Sequence, residues 1–138
     1  MEPRTVLRLE GVAVFLAATA AYFAVDGPLW LFLVLALAPD LSMLGYLAGD
    51  GLGSRVYNAF HAYVGPTALG AAGIGLDVPA ATWVALVWAA HVGADRAAGY
   101  GLKYSTGFKH THLAAPDGSV VDSADPAEVF EAEAVDGR

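Results

Sequence analysis

The sequence has no cysteine and few charged side chains. Of its 138 residues, 15% are charged and 57% are apolar, whereas soluble domains average about 25% charged and about 45–50% apolar residues. The absence of cysteine excludes disulfide bonds, thiolate metal ligands and cysteine nucleophiles. Histidine, carboxylate and hydroxyl groups are therefore left to perform any chemistry, and the composition is that of a membrane protein.

Basic residues are also scarce, and the net charge of −7 is unevenly distributed. Residues 114–138 contain seven acidic residues and one basic residue, whereas residues 1–113 are nearly neutral, with seven acidic and six basic residues. The sequence therefore predicts a transmembrane domain over residues 1–113 and a flexible, acidic cytoplasmic tail over residues 114–138.

Long apolar runs occupy most of the first part. Four blocks, at about residues 5–25, 28–48, 54–74 and 80–101, are each ~20 residues long, the length that a helix needs to cross a ~30 Å hydrocarbon core. Breaks that contain glycine or proline separate them. We predict an all-α fold, an integral membrane four-helix bundle of up-down-up-down topology, because short connections make neighbouring helices antiparallel. A cleavable signal peptide is the second interpretation of the first block.

The basic residues predict the orientation of these helices. All six in the first part lie near block ends that would share one side of the membrane: Arg4, Arg8, Arg55, Arg96, Lys103 and Lys109. Cytoplasmic loops have the excess of lysine and arginine. We therefore expect a multi-pass protein of the cell membrane with both termini in the cytoplasm. Its expected partners are the lipid bilayer and further copies in a homo-oligomer, with no nucleic acid.

Several polar side chains interrupt the apolar blocks. A charged side chain near the bilayer centre costs ~3 kcal/mol or more, so each needs a partner. The residues fall in the cytoplasmic halves of the four predicted helices and so at one depth. They are Glu10, Asp40, Asn58, His61, His91, Asp95 and Arg96. Pro39 also predicts a kink that frees a backbone carbonyl. We expect a polar pocket that opens to the cytoplasm.

The spacing of these residues is typical of a metal site. His91 and Asp95 are four positions apart, on one helix face, and can both bind one ion. With His61 and Asp40 they offer nitrogen and oxygen ligands, which suit zinc, manganese or ferrous iron. A bound ion lowers the pKa of its water to ~7 and so supports hydrolysis. Asp40 or Glu10 is then the candidate general base.

A second set of residues is expected to orient the ligands or to contact a substrate. Tyr57 and Asn58 share a helix face with His61 and could hold a histidine in place. Arg96 is expected to extend to the level of the headgroups and to bind a phosphate or carboxylate. Lys103 and His112, which follow the fourth block, complete this set.

Three functions are compatible with the polar layer. The first is a metal-dependent hydrolase that acts on an amphiphilic, lipid-derived substrate. The second is a membrane binding or transport protein for a proton, a cation or a small solute. The third is a structural bundle, in which the polar residues neutralise one another without a metal and fix the helix register.

Five motifs resemble a family of small integral membrane proteins known as domain of unknown function 4260. They are Pro39 to Tyr46, Tyr57-Asn58 with His61, His91 to Arg96, Gly99 to Tyr104, and Thr111 to Leu113. The resemblance extends from about Leu7 to Leu113 and implies an integral membrane protein, but no activity. More distantly, a Pro-Asp pair followed by histidines on later helices is similar to membrane-bound metal-dependent hydrolases.

Overall fold

The structure, a computed structural model, describes residues 1–113, and this part of the chain is helical. Its elements are α1 (Pro3–Ala24), α2 (Leu29–Leu35), a 3₁₀ segment (Ala38–Ala48), α3 (Asp50–Phe60), α4 (Val64–Gly75) and α5 (Pro79–Ala98). Residues 1–113 contain no strand, although an isolated antiparallel bridge joins Lys103 to Thr111. The all-α prediction is confirmed for these residues, and the predicted acidic tail lies outside them.

The two longest helices begin with a proline, and α5 also ends at a glycine. Pro3 and Pro79 stand at the first position of α1 and α5, where a missing backbone N–H has no cost. Gly99 ends α5 in the left-handed conformation, with φ of 96°, and the N–H of Tyr100 then binds the carbonyl of Asp95 at 2.8 Å. The polypeptide therefore turns back directly after α5.

The second predicted helix changes its geometry half-way along. α2 ends at Leu35, and the chain continues as the 3₁₀ segment, which starts one residue before Pro39. The N–H of Asp40 binds the carbonyl of Leu37 at 3.1 Å, not the Ala36 carbonyl that an α-helix would use. The carbonyl of Ala36 is therefore available to a side chain.

The third predicted helix, residues 54–74, is not a single helix. α3 ends at Phe60, residues 61–63 form a bend, and α4 starts at Val64. The carbonyl of His61 accepts a hydrogen bond from Arg96 instead of continuing a helix. Pro66, in the first turn of α4, has no N–H to offer to the preceding turn. These two features divide the segment that the apolar pattern predicts as continuous.

Helix α5 is at the centre of the packing. It packs against α1 and α4, while α3 packs against the 3₁₀ segment. The crossing of α1 and α5 is close, because a Cβ atom on Gly93 would lie 2.7 Å from the backbone nitrogen of Phe15. A Cβ atom on Gly11 would lie 2.6 Å from the backbone nitrogen of Ala97. Glycine at both positions is what permits this crossing.

Two helical stretches are long and apolar enough to cross a membrane. They are Pro3–Ala24 and Leu29–Ala48, the second of which comprises α2 and the 3₁₀ segment. In each, 11% of the most apolar window is buried inside the protein. Large side chains such as Leu33 and Leu37 are exposed. Apolar surface of this extent is typical of contact with a membrane or a partner.

Candidate metal centre

Four of the polar residues selected from the sequence meet at one point. Asp40 lies in the 3₁₀ segment, His61 directly follows α3, and His91 and Asp95 are one turn apart on α5. One nitrogen or oxygen atom from each of the four lies within 4.8 Å of the other three. Three separate elements therefore build one cluster, called the His/Asp cluster below.

The distances within the His/Asp cluster are those of a small coordination shell. The two histidine Nε2 atoms are 3.2 Å apart. The Nε2 atom of His61 lies 3.3 Å from Asp40 Oδ1 and 3.5 Å from Asp95 Oδ2, and that of His91 lies 3.4 and 3.7 Å from the same oxygens. Ligand atoms ~2.0–2.1 Å from a tetrahedral ion are ~3.3–3.4 Å from one another. These five distances are close to those of a tetrahedral shell, whereas for the sixth, between the two carboxylate oxygens, the limit is 4.8 Å.

Hydrogen bonds fix the orientation of both imidazole rings. The Nδ1–H of His61 donates to the carbonyl of Tyr57 at 2.9 Å, and that of His91 donates to the carbonyl of Ala36 at 2.7 Å. Since a carbonyl oxygen only accepts, both Nδ1 atoms have a proton, and the Nε2 atom of each neutral ring has a lone pair. Two lone pairs and two carboxylates thus face one another, which requires a cation or an additional proton between them.

One of these carbonyls comes from irregular backbone and the other from the end of a helix. The Ala36 carbonyl is available because the 3₁₀ segment does not use it, and the Tyr57 carbonyl lies in the last turn of α3. Metal-binding histidines commonly donate their second ring N–H to such a carbonyl. Tyr57 also stacks its ring on that of His61, with centroids 3.7 Å apart, and places its hydroxyl 3.5 Å from Asp95 Oδ2. Tyr57 therefore lies where an orienting residue is expected.

One side of the His/Asp cluster is closed and the other is open. Both histidines are buried, whereas the side chains of Asp40 and Asp95 are 40% and 19% exposed. The carboxylates face a cleft of about 390 Å³, called the carboxylate cleft below. Its lining consists of Asp40, Met43, Tyr57, Asp95, Tyr100, Lys103 and Phe108. Reactants can therefore approach the carboxylates but not the closed side of the rings.

Arg96 has a different position from the one expected from the sequence. Its side chain is buried and does not extend outward. Nη1 donates to the carbonyl of Tyr100 and Nη2 to that of His61, each at 2.9 Å. The expectation that Arg96 reaches the headgroups is therefore wrong, because its donors bind backbone carbonyls inside the protein. Arg96 instead connects the end of α3 to the end of α5, next to the His/Asp cluster.

Asn58 and Lys103 form a second connection between the same parts of the chain. The Oδ1 atom of Asn58 accepts from the N–H of Lys103 at 2.7 Å, and its Nδ2 donates to the carbonyl of Lys103 at 2.8 Å. The ammonium of Lys103 donates to the carbonyl of Phe108 at 2.8 Å and lies over the rings of Phe108 and Tyr57. Burial lowers the pKa of Lys103. Asn58 thus places Lys103 in the carboxylate cleft and does not hold a histidine.

Glu10 and His112 lie outside the His/Asp cluster. Glu10 is exposed on α1, and His112 accepts a hydrogen bond from the N–H of Leu102 at Nδ1, at 2.8 Å. His112 therefore contributes to the fold of the chain after α5. Of the two candidate general bases, Asp40 is the one that the structure places in the His/Asp cluster.

Sequence reasoning missed several groups around the site. Pro39 predicts a free backbone carbonyl, but no residue type in the sequence indicates that the carbonyl of Ala36 binds His91. Tyr100 lies in a motif that the sequence singled out, without a role. Met43 follows Asp40 by three positions, a spacing that the sequence analysis did not use, whereas Phe108 has no spacing pattern with the cluster residues and only the fold shows that it lines the carboxylate cleft.

The fold and the site define a helical protein with two candidate membrane spans and a buried two-histidine, two-aspartate cluster. The model of one family, the domain of unknown function DUF4260, matches residues 4–115. The chain belongs to this family, and the resemblance seen in the sequence is confirmed. No curated protein and no solved structure gave a significant match.

Proposed function

We propose that the protein is a membrane-embedded, metal-dependent hydrolase that acts on an amphiphilic substrate. The supporting observation is that the His/Asp cluster brings four acceptor atoms within 4.8 Å of one another, with each histidine Nε2 atom 3.2–3.7 Å from the other three. A divalent cation would balance both carboxylates, and three of the four residues would hold it and leave one position for water. The donor set is that of a zinc site, and manganese or ferrous iron accepts the same ligands.

The exposure of the two carboxylates suggests which residue is the general base and which residues are metal ligands. A divalent ion in the cluster would lower the pKa of bound water to ~7. Asp40, the more exposed carboxylate, is suited to accept the proton of that water, while His61, His91 and Asp95 hold the ion. The water oxygen would bond to the carbonyl carbon or phosphorus of an ester, the bond to the alcohol oxygen would break, and Asp40 would return the proton to that alcohol oxygen.

An apolar pocket beside the cluster supports an amphiphilic substrate. It has a volume of about 200 Å³ and is lined by Leu35, Ala38, Pro39, Phe60, Val84 and Trp88. Pro39 and Phe60 directly precede Asp40 and His61 in the chain. A hydrocarbon chain in this pocket would lie against the two chain segments that contain Asp40 and His61.

We further propose that residues 1–113 cross the membrane four times, with both termini in the cytoplasm. Besides the two candidate spans, α5 has 20 residues, and α3 with α4 would form a broken third span. Broken helices persist in a membrane only where protein or water satisfies the freed backbone groups. Here His91 binds the carbonyl of Ala36 and Arg96 binds that of His61, which supports this arrangement.

Metal analysis of the detergent-purified full chain tests the metal site. We expect about one zinc, manganese or iron ion per chain, and its loss in His91→Ala and in the more conservative His91→Gln. His110→Ala is the matched control, because His110 is exposed and outside the His/Asp cluster. A folded, metal-free wild type whose stability a chelator leaves unchanged would refute the proposal and favour a proton shared by the histidines.

Ester hydrolysis tests the reaction itself. We expect the metal-loaded protein to cleave chromogenic esters with long acyl chains faster than those with short chains. Asp40→Asn should retain the ion and lose turnover. If Asp40→Asn loses the ion as His91→Ala does, Asp40 is a ligand and the assignment of the base is refuted.

A further inference from the structure

Lys103 is a buried cation in the carboxylate cleft. The residue is 8% exposed, and its ammonium lies 3.6 Å from the ring centroid of Phe108 and 4.7 Å from that of Tyr57. An ammonium has three N–H donors. One binds the carbonyl of Phe108, and the aromatic rings offer only their faces to the others. The cleft therefore contains a positive charge with donor capacity for a ligand.

The net charge of the carboxylate cleft would change from negative to positive on binding of a divalent ion. Without a cation, Asp40 and Asp95 outweigh Lys103 among the lining residues. A divalent ion held by the His/Asp cluster would neutralise both carboxylates and leave the charge of Lys103 uncompensated. Arg96 adds to this positive field, although its hydrogen bonds go to backbone carbonyls. The metal-loaded cleft thus favours an anion.

The position of Lys103 is fixed by its backbone. Asn58 binds both the N–H and the carbonyl of Lys103, and the isolated bridge to Thr111 holds the residue from the other side. A side chain used only to fill space would not need this two-sided fixation. Such preorganisation lowers the entropy cost of binding a ligand with a long, flexible side chain.

We propose that the ammonium of Lys103 binds an oxyanion of the substrate beside the metal, so that the substrate class is an anionic amphiphile with a phosphate or carboxylate group. This inference rests on the proposed metal-dependent function. Lysine is a frequent point-charge partner of phosphate, and hydrogen bonds between charged groups are about twice as strong as neutral ones. Lys103 is in this role a binding residue and not a catalytic one.

Titration of the zinc-loaded full chain with inorganic phosphate, and separately with butyrate, tests this. We expect at least one of the two to bind, and Lys103→Met to weaken that binding by ~10-fold or more while the zinc content is unchanged. Lys109→Met is the matched control, because Lys109 is an exposed lysine six residues away. Lys103→Arg should retain most of the affinity. Whichever probe binds identifies the oxyanion.

The outcomes separate this inference from the proposed function. If the wild type holds no ion, the proposed function fails. If it holds zinc but binds neither probe, or if Lys103→Met binds as the wild type does, the oxyanion site is refuted and the metal site stands. If Lys103→Met loses zinc or aggregates, the oxyanion affinities of Lys103→Gln and Lys103→Arg are compared instead. Equal affinity of folded Gln and Arg variants would refute the role of the charge.

Discussion

Removal of the Asn58 side-chain amide is the perturbation whose effect follows most directly from the geometry. Asn58→Ala removes the hydrogen bonds of 2.7 and 2.8 Å to the backbone of Lys103. Each such bond contributes about 0.5–1.5 kcal/mol, so the variant should lose about 1–3 kcal/mol of unfolding free energy. The loss should fall near the upper end, because Lys103 is buried and its backbone groups would lack partners.

Limited trypsin digestion measures this effect locally. In the wild type, the bond after buried Lys103 should be cut slowly and that after exposed Lys109 quickly. Asn58→Ala should increase cleavage at Lys103 and leave the rate at Lys109 unchanged.

The same variant has a functional consequence. Because Asn58 fixes Lys103 and not the histidines, Asn58→Ala should retain the metal ion and weaken oxyanion binding. An unfolding free energy within ~0.5 kcal/mol of the wild type, which is the scale of neutral surface substitutions, together with unchanged protection of Lys103, would refute this reasoning.

Three further predictions concern the helix crossing, the metal and the helix break. Gly93→Val should lower the melting temperature strongly, because its side chain would meet the backbone of Phe15, whereas Gly51→Ala, which has open space, should not. At a free metal concentration of 100 Kd, bound metal stabilises the wild type by about 2.7 kcal/mol, and a chelator should remove this stabilisation. The chelator should leave the stability of His91→Ala unchanged. Metal occupancy of the wild type should fall as the pH is lowered, because protons compete with the metal for the imidazoles. Pro39→Ala should weaken metal binding by ~10–100-fold, measured by competition with a chromophoric chelator, and equal affinity would refute a role of the break.

The helices could be predicted from the sequence where local composition determines them. The predicted blocks at residues 5–25 and 80–101 correspond closely to α1 and α5, whose ends are marked by proline and glycine. The blocks at 28–48 and 54–74 are each interrupted. Apolar composition is the same on both sides of these breaks, so a pattern of apolar residues cannot locate them.

The site was predictable to the same extent. The four-residue spacing of His91 and Asp95 and a common depth with Asp40 and His61 were enough to group the four residues that converge. The partners of Asn58 and Arg96 were not predictable, because both bind backbone atoms at least 35 positions away or at a helix end. Every residue has a backbone carbonyl, so the sequence does not indicate which carbonyl accepts a side-chain hydrogen bond.

The breaks and the site have the same physical origin. In an uninterrupted α-helix the carbonyl of Ala36 would bind the N–H of Asp40 and would offer His91 only its second lone pair. Because Asp40 bonds to Leu37 instead, the carbonyl of Ala36 fixes the tautomer that directs the Nε2 lone pair of His91 into the cluster. The departure from regular helix therefore brings Asp40 close to the histidines and also orients one of them. In a straight helix with the same side chains, His91 would share this acceptor with the N–H of Asp40.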